Sequence, residues 1–561
     1  MTANLTMKRL AALGLVVLLG LGPPAPAFAD DEASEEADAH LLQAEIALQR
    51  KDYKLASEEY REAAAESDDV EIARQATQIS YTYGFTEDAL ESAERWVELD
   101  GKSDEALLYL AQLQLRNGDL RDSHRSFRKL LERGGAPPEE RLVALIPFLS
   151  EEDPEDGQWL MSELAEPYED SAWANYAVGV MALQADDSKE ARKRAEKALE
   201  LEPDWIQPSL LYARSLLLEG EHDAAIDYTA RLVGDNPDPD PEARLELAVM
   251  YLAADRDDDA LSQVNQILLE QPARSDALRL MAIINFRNDH LDAAWSDFQD
   301  LLSTGQYTMD ALFYLARIAD RRLEHEDAAA LYSQVISGAN AVAAQRRAGA
   351  LMLEQGKPEQ ALQHLQDFGE THPAHAIDMM EARAQLLGTL GRHEEALDLY
   401  DRVIEYRPDS ETPLLGKAEL MLRMGRVDDA IDLYREGVDR WPDSPLTLNA
   451  LGYTLADRTD RYREAERLIK KALELEPDSG AIIDSWGWVL YRQGKLDQAL
   501  VELERAYDIL KDPEVAAHIV EVLWKLGRTE EAKTALADAE KLFPENEMLE
   551  RVRERAFPDD G

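Results

Sequence analysis

Apolar positions in this chain recur at helical spacing in short paired runs, and Gly480–Pro513 shows the pattern in full. Ile483, Trp486, Gly487 and Leu490 form one apolar stripe; beyond a turn at Gly494, Leu496, Ala499, Leu500, Leu503 and Ala506 form a second. The spacing predicts two amphipathic helices that cross where Gly487 and Ala499 are small. Trp486 falls on the stripe and is expected in the core. Pro513 ends the unit, because it lacks an N–H and cannot continue a helix. The residue equivalent to Ala499 returns as Ala56, Ala89, Ser123, Gly157, Ala191, Ala225, Ala260, Ala294, Ala328, Ala361, Ala396, Ala430, Ala465 and Ala532, in steps of 33 to 35 residues. A closing proline recurs at Pro203, Pro237, Pro272, Pro373, Pro408, Pro442, Pro477 and Pro544. One hairpin cannot bury both faces, so each needs a neighbour on either side.

This small-residue and proline pattern resembles the tetratricopeptide repeat (TPR), and the resemblance covers nearly all of residues 30–561. It implies an all-α fold: a right-handed superhelical solenoid of about fifteen helix hairpins, with the first helix of each lining a concave groove. Residues 37–136 read as three N-terminal repeats. Residues 137–171 keep the repeat length, but Pro147, Pro154 and Pro167 interrupt it. That segment is either a degenerate repeat at a bend and boundary, or a true repeat with a kinked helix. From 172 to 546 the repeats are regular, with starts expected near residues 172, 206, 241, 275, 309, 342, 377, 411, 445, 480 and 513. The run 235–241 reads as a stiff turn. Residues 547–561 read as a capping helix and tail, with Met548, Leu549 and Val552 toward the last repeat.

Residues 1–29 have the pattern of a secretory signal peptide: Lys8 and Arg9, an apolar run Leu10–Leu21, then Ala27-Phe28-Ala29. Cleavage is expected after Ala29, followed by an acidic leader over 30–36. Export, with no other apolar run of membrane length, leads to the expectation of a periplasmic protein without a membrane span. The chain has no Cys, so it can carry neither a disulfide nor a lipid anchor on cysteine. Lys and Arg number 60 against 113 Asp and Glu, a formal net charge of -53. Such a surface repels nucleic acid and anionic headgroups. It fits either a salty medium, in which counterions screen the repulsion, or a choice of basic partners.

Motifs for chemistry are incomplete. His393-Glu394-Glu395 lacks the second His of a zinc-protease helix. Asp255–Asp259 begins like a calcium loop, but Ala260 stands where that loop needs Gly. His364, His372, His375 and Asp378 gather near an inter-repeat turn, where a solvated turn is the plainer reading. No enzyme, cofactor or metal is expected. The first helices of the last three repeats are more informative. Asn449, Tyr453, Asp484, Trp488, Tyr491, Arg492, His518, Glu521, Trp524 and Lys525 should face the groove, and all of these but His518 and Glu521 are taken as the partner-binding set. Tyr453 and Trp488 are equivalent one repeat apart, as are Tyr491 and Trp524. The result is an aromatic ladder suited to an extended peptide or a partner helix. The competing reading packs these side chains between adjacent repeats. TPR domains that clamp chaperone carboxylates are echoed only by Asn449 and Arg492; Tyr453 stands where that clamp needs Asn.

The run Leu448–Arg528, with DSWGWVLYR at its centre and an extra residue at Asp457–Tyr462, resembles a family of exported proteobacterial TPR proteins. Some members are outer-membrane lipoproteins that hold a periplasmic carboxy-terminal processing protease and deliver cell-wall hydrolases to it. The resemblance implies a non-enzymatic scaffold or adaptor for protein partners, here without the lipidation Cys. A second reading is a structural subunit of an envelope export or polysaccharide machine.

Overall fold

The computed structural model describes residues 32–234, 240–544 and 546–557. The signal-peptide and cleavage-site reading, most of the 235–241 turn and the final tail lie outside these residues. The described residues contain no strand. Their helices pair into fifteen hairpins, numbered here as repeats 1 to 15, followed by a single helix Glu547–Ala556. From repeat 5 onward the first helices begin at Ala172, Ile206, Pro241, Ser275, Thr308, Ala341, Ala376, Glu411, Pro445, Gly480 and Pro513, within one residue of the expected starts.

The repeat begins with a steric requirement. A Cβ on Gly487 would sit 2.6 Å from Leu503 Cγ and 3.3 Å from the Ala499 carbonyl oxygen, so the paired backbones come too close for a side chain there. Every residue in the Ala499 series is buried. Thirteen of the fifteen hairpins turn at one left-handed residue, such as Gly494 at φ +78°; repeats 4 and 13 turn without one. Repeat 9 has Leu323 at this position, with φ +60°. Its side chain is 74% exposed, so it has little packing to lose. A left-handed conformation costs an L-residue about 1–2 kcal/mol, and glycine returns about 0.5–1 kcal/mol of that as chain entropy. Leu323→Gly should therefore stabilise repeat 9 by about 0.5–1 kcal/mol, read as slower amide exchange there; faster exchange would contradict the strain. Acidic side chains cap helix starts: Asp187 accepts from Glu190 N at 3.1 Å and Asp512 from Glu514 N at 2.7 Å.

Two expectations are corrected, the extent of the leader and the place of the boundary, and of the two readings of residues 137–171 the true repeat is the one observed. The first helix starts at Glu32, so residues 32–36 of the acidic leader are helical; Glu and Ala are good helix formers, and Ala37 is already buried. Residues 137–171 form a complete hairpin, Pro138–Leu149 and Pro154–Ala165. Pro138 and Pro154 open their helices, where a missing N–H costs nothing, and Pro167 lies in a following 3-10 turn; Pro147 lies inside the first helix, which nevertheless continues to Leu149. One core runs through it from Leu107 to Met181, so it is not a boundary. The division falls instead at repeat 10. One unit runs to Lys357 and includes Glu370–Ala376; the other holds Pro358–Gly369 and the chain from Ile377.

The first unit contains a succession of local cores, each overlapping or adjoining the next. In repeat 9 the second helix, His325–Tyr332, is only eight residues long. The buried Gln345 amide donates to the carbonyl oxygens of Tyr332, Ser333 and Val335 beyond its end, at 2.9–3.3 Å. The 3-10 turn Pro373–His375 of this same unit lies against helix Val70–Tyr83 of repeat 2, and Lys51 pairs with Glu370. The second unit has two cores, Leu362–Val489 and Ile483–Phe557. Leu549 and Val552 of helix Glu547–Ala556 are buried in the latter, and Met548 packs beside them.

Candidate functional site

In repeats 12–15 the first helices of successive repeats touch, and this contact places their groove-facing side chains. Trp488, on Gly480–Arg492, is 7% exposed. Its Nε1 donates to Asp457 Oδ1 of repeat 13 at 3.2 Å. Its ring stacks on Tyr491 at 4.8 Å and on the His518 imidazole of repeat 15 at 4.1 Å. Tyr453 donates its hydroxyl to Glu514 Oε1, two repeats on, at 2.7 Å. Tyr491 donates to Glu521 Oε1 at 2.7 Å, and Arg555 of the capping helix pairs with the same carboxylate. Arg492 donates to the Asp457 main-chain oxygen at 2.6 Å and lies 5.5 Å from the Tyr462 ring centroid. Lys525 lies over the Trp524 ring of its own helix at 5.9 Å. The Asn449 carbonyl oxygen is buried without a hydrogen-bond partner among the described residues.

The ladder residues thus come together, but Tyr453, Trp488 and Tyr491 engage neighbouring repeats. Trp488 is the correction. Trp486, the expected core residue, is only half-buried, with Lys470 over its ring at 4.9 Å. Periodicity within one helix ranks residues by burial inside their own hairpin, whereas Trp488 is buried by the next one. Glu521, expected on the groove face, is part of the network; Glu514, Asp457, Tyr462 and Arg555 complete it and are not among the side chains expected from the ladder. Their signal is the offset of 30 or 31 residues that links Trp488 to Asp457 and Tyr491 to Glu521.

The centre of the network is an ion pair, His518 Nδ1 to Asp484 Oδ1 at 2.9 Å, with both side chains buried. Burial alone lowers the imidazole; the Asp484 carboxylate, with Glu514 and Glu521 behind it, outweighs burial and holds it above its ordinary value. Tyr453, facing it from repeat 13, has its phenol raised by burial first and by Glu514 next. A raised imidazole adds stability that is complete below the unfolded value of about 6.5 and is lost as pH rises through the folded value. Amide exchange in repeats 13–15 should therefore quicken as pH rises above about 6.5, after correction for intrinsic rates. Asp484→Asn should flatten that dependence; an unchanged slope would contradict the assignment.

Among the described residues, no group of three His, Asp or Glu side chains converges as metal ligands. No helix there is long and apolar enough to cross a membrane.

Models of the tetratricopeptide repeat match residues 216–284, 346–410, 381–445 and 449–514. Those segments carry tetratricopeptide repeats, and the regular structure of the described residues is all helical, without strands. It is similar to the "TPR repeat-containing protein PA4667" of Pseudomonas aeruginosa, 34% identical over 211 residues. That match spans 38% of this chain and 36% of the relative. Among solved structures it is similar to yeast Tom70, at 15% identity with a TM-score of 0.33, covering 94% of this chain and 96% of that one. A second is the Cut9–Hcn1 hetero-tetramer, at 17% identity with a TM-score of 0.33, covering 93% and 97%.

Proposed function

We propose that this chain is a non-enzymatic scaffold that holds protein partners on the first-helix faces of its repeats. What carries the reading is the stack of tetratricopeptide repeats, whose first helices present aromatic and charged side chains in repeat register. Trp524, Lys525 and Arg492 keep exposed or half-exposed surface on that face. Lys8, Arg9, the apolar run and Ala27-Phe28-Ala29 support export to the periplasm with cleavage after Ala29. The resemblance of Leu448–Arg528 supports a finer reading: an adaptor that brings a carboxy-terminal processing protease to cell-wall hydrolases.

The test is expression with residues 1–29 in place and a C-terminal tag, followed by N-terminal sequencing and cross-linking in the intact envelope. The reading expects Asp30 as the first residue and cross-links to a soluble protease and hydrolases. An uncleaved cytosolic chain would overturn the export reading. Cross-links to membrane-embedded export components alone would overturn the adaptor reading.

A further inference from the structure

The first helices of repeats 8 to 10 carry Arg279, Arg287, Arg317, Arg321, Arg346 and Arg347, a local concentration of cations in a chain of net charge -53. Four of them meet a carboxylate from another repeat. Arg279 pairs with Asp310 at 2.7 Å, Arg287 with Asp257 at 3.5 Å, Arg321 with Asp289 at 3.2 Å, and Arg347 with both oxygens of Asp320 at 2.7 and 2.9 Å.

Arg317 has a different environment. Its guanidinium lies 4.8 Å from the ring centroid of Phe286, 5.5 Å from Tyr314 and 5.8 Å from Phe313. Among the described residues no carboxylate pairs with it and no acceptor takes a hydrogen bond from it. The side chain is half-buried. The rings hold its position: Tyr314 stacks on the buried Phe298 at 4.9 Å and 4°, and Phe286 is buried with Arg321 over it at 4.4 Å. Aromatic faces attract the charge, but they accept nothing from the five N–H groups at the guanidinium edge. The arrangement fixes a planar fork in place and leaves its donors open, which is the geometry that takes a carboxylate in two parallel hydrogen bonds.

We propose that Arg317, flanked by Phe313 and Tyr314, receives a Glu or Asp side chain from an extended acidic protein segment lying along the first helices of repeats 8 to 10. The inference rests on the scaffold reading and names the chemistry of one partner. Charge complementarity selects the occupant. The complementarity is local: the planar carboxylate of one side chain matches a guanidinium of this row that no carboxylate of the described residues pairs with.

The test uses the purified full chain and two short fluorescein-labelled peptides with amidated C-termini, one alternating Glu with Ser and the other Gln with Ser. Anisotropy should show the Glu peptide binding about tenfold or more tightly, the effect of one charge-assisted bidentate pair. Arg317→Gln should reduce Glu-peptide affinity to that of the Gln peptide, and Arg317→Lys should restore only part of it. The wild-type contrast needs no variant, so a folding defect cannot hide the answer. Equal binding of the two peptides, or full affinity in Arg317→Gln, would overturn the proposal. So would a single-stranded oligonucleotide that displaces the Glu peptide at equal charge concentration. If the Glu peptide fails to bind while cross-linked partners persist, this inference fails and the scaffold reading stands.

Discussion

Replacing Trp488 with alanine should cost about 3–5 kcal/mol of stability in repeats 13–15, the range for a large buried aromatic. The indole fills the space between Tyr491 and His518 and donates to Asp457, so its removal opens a cavity and takes away that donor. The loss should appear as faster amide exchange in Pro445–Arg458, Gly480–Arg492 and Pro513–Lys525. Exchange is the suitable measurement because a repeat array need not unfold in one step. Trp486→Ala should cost less, because Trp486 is only half-buried. If Trp486→Ala proves the more damaging, the burial order is wrong. If Trp488→Ala leaves exchange unchanged, the ring is not part of the packing.

The second large effect belongs to the buried pair. His518→Leu removes the partner of a carboxylate that has little access to water, and breaking a buried ion pair costs about 3–5 kcal/mol. The expected damage is centred on the interface between repeats 14 and 15. Changing Asp484 to leucine as well should recover most of it, because an apolar pair of similar volume leaves no charge stranded. A double variant no more stable than His518→Leu alone would contradict a stranded Asp484 charge as the source of the loss.

Much of the fold was legible because close backbone approach is a local demand. Gly487 and the Ala499 series admit no larger side chain, so the crossing of each hairpin is written at fixed intervals. Prolines misled where position matters more than identity: Pro154 opens a helix, and Pro147 is carried inside one that continues to Leu149. The break after Tyr332 was not visible, because the buried Gln345 that satisfies the freed carbonyl groups lies in the next repeat. The aromatic ladder was found by its spacing. Its burial was not, since the groups that cover it come from other repeats, as His518 covers Trp488. Arg317 gave no signal of its own, because its distinction is the lack of an acid partner that neighbouring arginines possess.

The contact of Pro373–His375 with helix Val70–Tyr83 makes the first unit a coil fastened to itself. An unfastened coil behaves as a spring: small rotations between successive hairpins add up, and thermal motion sets the pitch. Fastening repeat 2 to the turn after repeat 10 removes that freedom, because any change of pitch must break the clasp. The distance between neighbouring first helices is then held partly by residues remote from them. Cutting the clasp, for instance by reversing charge at Lys51, should broaden the distance distribution between labels on repeats 3 and 8; an unchanged distribution would show that stacking alone sets the pitch.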